Sequence, residues 1–191
     1  DSYLQRLVEK GYKVAIAEQM EDPKLTKGLV KREVVKIVTP GTLTSDANLV
    51  EDKNHFLLAL VYNSGRFGIC AVDISTGDFY VTEAENLRTL YDELSKYCPS
   101  EIISNQAIDI SGIDFELIKH NYGIDISRVD DTYFSPGKCK DIIETHFPAG
   151  SLQSLGLESF ADGTLAAGAI LKYLYDTQKS SCSQINTIKV Y

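Results

Sequence analysis

The sequence predicts an α/β protein in which a mixed β-sheet with flanking helices follows a smaller, partial α/β unit. Three observations predict it. Between Phe56 and Glu83, three strand-like runs succeed one another across tight turn signals. From Leu87 onward, helical and strand spacings alternate. Residues 163–178 read as one long helix with a run of small residues in its middle. A chain of 191 residues, 43% of them hydrophobic, can bury one full core and part of another.

In chain order, Tyr3, Leu4, Leu7 and Val8 share one helical face, and Gly11 ends that helix. Val14 and Ile16 alternate with Lys13, Ala15 and Ala17, the pattern of a half-buried strand. Asp22 is placed to cap a short helix that starts at Pro23, where a missing N–H costs nothing, and Gly28 supplies the stop. Val34, Val35, Ile37 and Val38 make a second, β-branched strand closed by Pro40-Gly41. Residues 1–42 are too few for an independent core. Residues 43–54 (LTSDANLVEDKN) lack either periodicity and read as a linker.

The second unit opens with Phe56 to Tyr62 (FLLALVY), apolar throughout and therefore buried on both faces. Asn63-Ser64-Gly65-Arg66 turns the chain into a strand over Phe67–Ile74, and Ser75-Thr76-Gly77-Asp78 turns it into Phe79–Glu83. Leu87, Leu90, Tyr91, Leu94 and Tyr97 then recur at helical spacing. Glu101–Ser104 gives a fourth strand, parallel to the first. Meander, helix, strand is the order of a ribonuclease H-like sheet. A helix near 112–121, a strand near 124–129 and a helix after Ser135-Pro136 follow, the last with Cys139, Ile142, Ile143 and Phe147 on its inner face. Asp162 is the expected cap of the final helix, whose Ala166, Ala167, Gly168 and Ala169 let it sit close against a sheet. Ser180, Ser181 and Ser183 form a hinge-like joint ahead of Ile185–Tyr191.

Charge divides the chain. Residues 1–40 carry eight Lys/Arg and six Asp/Glu, net +2. The remainder carries 11 and 21, net −10, which together give the overall −8. That balance excludes a general nucleic-acid binder and assigns any nucleic acid to the first part. Lys24, Lys27, Lys31, Arg32 and Lys36 cluster there with Glu33 beside them; on charge alone, a solvated face is the better explanation of the cluster. No apolar run reaches the roughly 20 residues of a membrane span. Cysteines 70, 98, 139 and 182 lie far apart with no C-x-x-C pair, which suits free thiols in a reducing cytosol, and no zinc site. His55, His120 and His146 have no partner at ligand spacing. The chain starts inside a helix without Met and reads as a fragment of a longer protein.

A ribonuclease H-like sheet raises the possibility of a two-metal nuclease, which needs several converging carboxylates. Asp73 on the second strand, Glu101 opening the fourth, and Asp92 or Glu93 on the intervening helix are the candidates. The first strand should bear the leading carboxylate and has none, and Asp73 is better placed to bond the turn after it. No G-x-x-x-x-G-K-[ST] loop occurs, so no ATP site of that kind lies here, and no Ser or Cys nucleophile stands beside a base. The sequence therefore assigns no catalytic residue, no metal ligand and no cofactor to this chain.

Several blocks at fixed spacing resemble the MutS family of DNA mismatch repair proteins: KVAIAEQ at 13–19, Glu21-Asp22-Pro23, Lys27-Gly28, KREVVKIVTPGT at 31–42, and AAGAILKYLYDTQ at 166–178. The resemblance implies that residues 1–42 end a mismatch-recognition domain and that 55–182 form a ribonuclease H-like connector domain. It makes 183–191 the start of a lever domain. The family's Phe-x-Glu motif, which probes the mismatched base, does not occur in this chain. By resemblance Lys31 and Arg32 contact the DNA backbone. The implied function is non-catalytic: to link the mismatch-binding end to the lever and a distant ATPase, and to offer a docking surface for MutL. The implied partners are mismatched double-stranded DNA, MutL and a second MutS chain. ATP and Mg2+ belong to the full-length family, and the implied location is the cytoplasm. A metal-dependent nuclease and a generic protein-interaction domain are the alternatives weighed against this reading.

Overall fold

The computed structural model describes residues 2–44 and 55–191. Ten of the twelve residues assigned to the linker, 45–54, lie outside the described residues. The first part comprises α1 (Ser2–Glu9), β1 (Val14–Gln19) and β2 (Arg32–Val38). The two strands pair antiparallel, Val14 opposite Val38 and Gln19 opposite Arg32, with a bulge between Ile16 and Ala17.

The second part begins with β3 (Leu57–Asn63), β4 (Arg66–Asp73) and β5 (Asp78–Ala84), an antiparallel meander. Next come α2 (Leu87–Tyr97), β6 (Glu101–Ser104), α3 (Phe115–Tyr122), β7 (Ile126–Arg128), α4 (Pro136–His146), α5 (Ala161–Gln178) and β8 (Lys189–Val190). The sheet runs β7-β6-β3-β4-β5-β8, with β6 parallel to β3, β7 parallel to β6, and β8 parallel to β5. The apolar run of β3 lies in the middle and is buried on both faces. Leu57, Ala59 and Val61 face α4 and α5 with Ile143, Ala166 and Ile170. Leu58 and Leu60 face α2 and α3 with Leu90, Leu94 and Ile118. The result is helix, sheet, helix in three layers.

The caps follow local chemistry. The Asn86 side chain accepts from Thr89 N–H at the start of α2, and the Asp114 side chain accepts from Leu117 N–H at the start of α3. Three sequence expectations need correction. Pro23–Lys27 forms a single hydrogen-bonded turn, not a helix: Asp22 O accepts from Leu25 N–H at 3.0 Å and Asp22 Oδ1 from Lys24 N–H at 2.9 Å. One turn cannot offset its nucleation cost without an apolar face to bury, and Leu25 is 84% exposed. Asp162 is not the cap of α5; it lies inside the first turn, and its carboxylate accepts from Asn63 Nδ2 at 2.9 Å. In the small-residue patch, Ala166, Ala167 and Ala169 share a core cluster with the β3 residues as expected, but Gly168 packs on α4, where a Cβ would meet that of Cys139 at 2.4 Å.

Residues 183–191 pack on the same sheet. Tyr191 N–H donates to Val81 O at 3.2 Å, Thr82 Oγ1 donates to Tyr191 O at 2.6 Å, and Tyr191 OH donates to Glu93 at 2.5 Å. His146 bonds Ile185 O at 2.6 Å and the Tyr175 hydroxyl, and burial pushes its imidazole below the usual range.

Candidate nucleic-acid interface

The basic residues of the first part lie on the β1–β2 hairpin and its long connection. Met20 N–H donates to Lys31 O at 2.9 Å and closes the ladder, so residues 21–30 stand beyond it as a loop. Glu21 Oε2 accepts from Lys31 N–H at 3.4 Å and shapes the neck of that loop. Lys24, Lys27, Lys31 and Arg32 are all exposed. Lys31 Nζ lies 2.6 Å from Glu33, an ion pair with both partners in solvent. Such a pair contributes at most about 1 kcal/mol and yields readily to a competing anion. Lys31 ends the loop and Arg32 opens β2, so the two cations form a contiguous step at the mouth of the hairpin. Leu25 and Leu29 of the same loop are exposed, Leu29 fully.

At its other end the hairpin is anchored. Thr39 and Thr42, buried to 0% and 1% exposure, satisfy each other: Thr39 N–H donates to Thr42 Oγ1 at 2.8 Å, and Thr42 N–H to Thr39 O at 3.0 Å. Between them Gly41 N–H donates to Glu101 Oε2 at 2.9 Å. Tyr173 OH on α5 donates to Glu101 Oε1 at 2.5 Å, and Lys13 Nζ lies 3.6 Å from the same oxygen. Burial, and then the Glu101 charge, push the Tyr173 phenol far above its usual range, so it stays a donor. A cleft of about 420 Å³ opens beside this anchor, between Val8–Lys13 and Pro40 on one side and His55, Glu101 and Tyr122–Asp125 on the other.

The carboxylates considered for metal chemistry are dispersed, and Asp73 keeps one buried oxygen, Oδ2, without a hydrogen-bond partner among the described residues. Asp73 Oδ1 accepts from Ser75 N–H at 2.9 Å, Ser75 Oγ at 2.5 Å and Thr76 N–H at 3.4 Å, so it organises the β4–β5 turn. Glu101 anchors the hairpin, Glu93 holds Tyr191, and Asp92 faces solvent on α2. Among the described residues no three His, Cys, Asp or Glu side chains gather to hold a metal ion. The four cysteines are free thiols, and burial raises Cys139 to about 11. Among the described residues no helix is long and apolar enough to cross a membrane.

Sequence reasoning met Glu101 only as a candidate metal ligand and missed its anchoring role. The signal was present. A carboxylate opening a strand that pairs with FLLALVY is buried by its position, and a buried charge requires partners.

The comparisons with known proteins agree over the whole chain. The family model described as MutS domain II matches residues 55–186, and that described as MutS domain I matches residues 1–47. The chain is 48% identical over its full length to the DNA mismatch repair protein MutS of Lachnoclostridium phytofermentans, of which it covers 20%. The proteins of the same name from Ruminiclostridium cellulolyticum and Acetivibrio thermocellus are 44% and 38% identical, again over all of this chain and 22% of theirs. The chain thus spans about a fifth of the length of these relatives.

Proposed function

The chain belongs to the MutS family of DNA mismatch repair proteins, and on that premise we propose that it is a non-catalytic link carrying part of the DNA-facing surface. In this reading residues 1–42 close a mismatch-recognition domain, 55–182 are a ribonuclease H-like connector, and 183–191 open a lever. The strand order β5-β4-β3-β6-β7, antiparallel and then parallel about a buried first strand, supports the ribonuclease H-like assignment. The chemistry of the family, with its ATP and Mg2+, belongs to the remainder of the full-length protein, since this chain has no phosphate-cradling loop. The partners proposed for the full-length, cytoplasmic protein are mismatched duplex DNA, MutL docked on the connector, and a second MutS chain.

One observation carries the reading. An exposed basic step, Lys31 and Arg32, stands on a hairpin whose far end is buried in the second part through Thr39, Gly41 and Thr42. Cations at the free end of an anchored arm suit contact with a fixed array of phosphates, which positions the duplex without reading its sequence. In a full-length MutS protein carrying this segment, replacing both residues with Ala should weaken matched and mismatched duplex alike. The salt slope should fall by about 1–2 units. A loss confined to mismatched DNA would instead mean that these residues read bases.

A further inference from the structure

The polar bonds between hairpin and sheet converge on one side chain. Glu101 is 4% exposed, and taking a carboxylate out of water costs several kcal/mol unless its oxygens are paired. Its three partners come from three places. Lys13 immediately precedes β1, Gly41 follows β2, and Tyr173 lies on α5. Both legs of the hairpin are therefore referred to one carboxylate on β6, and through Tyr173 to the longest helix. The Lys13 ammonium also lies 5.3 Å from the Tyr173 ring centroid, which closes the triangle. Shape reinforces charge. A Cβ on Gly41 would stand 2.9 Å from Leu57 Cβ and 3.0 Å from Glu101 Cβ, so the stalk backbone lies directly against β3 and β6. Among the described residues, the further polar ties between the hairpin and α5 are a Tyr173–Thr39 side-chain hydrogen bond and Gln178 Nε2 to Ile37 O, long at 3.4 Å.

We propose that Glu101 is a positioning residue that fixes the angle at which the basic hairpin is held on the sheet, by binding both hairpin legs and α5 at once. Its consequence for DNA rests on the reading of the hairpin as DNA-facing; the joint itself does not. Glu101→Gln keeps an oxygen for Gly41 N–H, reverses the Tyr173 bond so that the amide NH2 donates to the hydroxyl oxygen, and loses the charge pair with Lys13. Glu101→Leu keeps the bulk and removes every bond.

The test is pulsed electron–electron resonance on DNA-free protein of this chain, with spin labels at Lys27→Cys on the hairpin loop and Arg88→Cys on α2. The background is Cys98→Ser, since Cys98 is the exposed thiol. A single narrow distance distribution is expected for the parent and for Glu101→Gln, and one at least twice as broad for Glu101→Leu. Amide exchange across β3–β5 should be unchanged. An unaltered distribution in Glu101→Leu overturns the proposal. Should that variant fail to fold, Lys13→Met with Tyr173→Phe strips two of the three partners; a narrow distribution there overturns it equally. Broadening accompanied by unchanged duplex affinity in the full-length protein upholds the joint and counts against the hairpin as a DNA contact.

Discussion

At the scale of single residues, the assignment of function turns on what each carboxylate already does. Asp73 is the residue that most tempts a nuclease reading, because it is buried on a central strand of a mixed sheet. Its Oδ1 nevertheless accepts from Ser75 and Thr76, the work of a turn-forming Asp. Asparagine offers the same oxygen, so Asp73→Asn should cost no more than about 1 kcal/mol. Asp73→Ala strands two N–H groups and should cost about 1–3 kcal/mol. Neither the parent nor Asp73→Asn should cut duplex DNA in Mg2+ or Mn2+. Cleavage by pure parent protein that Asp73→Asn abolishes would replace the proposed linking function with an enzymatic one. This role was legible in the sequence, because Asp before Ser-Thr-Gly encodes its own turn. The role of Glu101 was not, since its partners lie 60, 72 and 88 positions away.

At the scale of elements, periodicity and turn chemistry specify the meander, α2 and β6 almost to the residue, because each is decided by neighbours within a few positions. The failures are elements decided at a distance. Asp-Pro at 22–23 carries a helix-start signal, but no apolar partner comes to extend the turn. Asp162 looks like a cap, yet Asn63 and Arg66 draw it into the packing of α5 on the sheet. Gly168 shows packing overruling propensity. Glycine inside a helix costs about 1 kcal/mol relative to alanine, so Gly168→Ala should stabilise α5 in isolation. A Cβ there would lie 2.5 Å from Cys139 Cα, however, and overpacking of this kind costs about 1–3 kcal/mol. Gly168→Ala should therefore lower stability in urea unfolding. Gly137→Ala in the first turn of α4, where a Cβ meets nothing within 4 Å, should raise it slightly. Stabilisation by both substitutions would show that α4 and α5 pack less closely than described.

At the scale of the whole molecule, charge and architecture run together. The net positive first 40 residues form the arm, and the net negative remainder forms the sheet and its helices. That division was readable from composition; the way the arm is mounted was not. Residues 1–42 read as a unit too small to close a core, and the structure anchors their far end in the second part through buried Thr39, Gly41 and Thr42. In the function proposed above, this arm presents its free end to duplex DNA while the sheet serves as its mount. Hydrogen–deuterium exchange on a full-length MutS protein carrying this chain, with and without a mismatched duplex, tests it most directly. Added protection is expected across residues 20–32 on DNA binding, and none across 57–84. Protection confined to 57–84, with 20–32 unchanged, would contradict it.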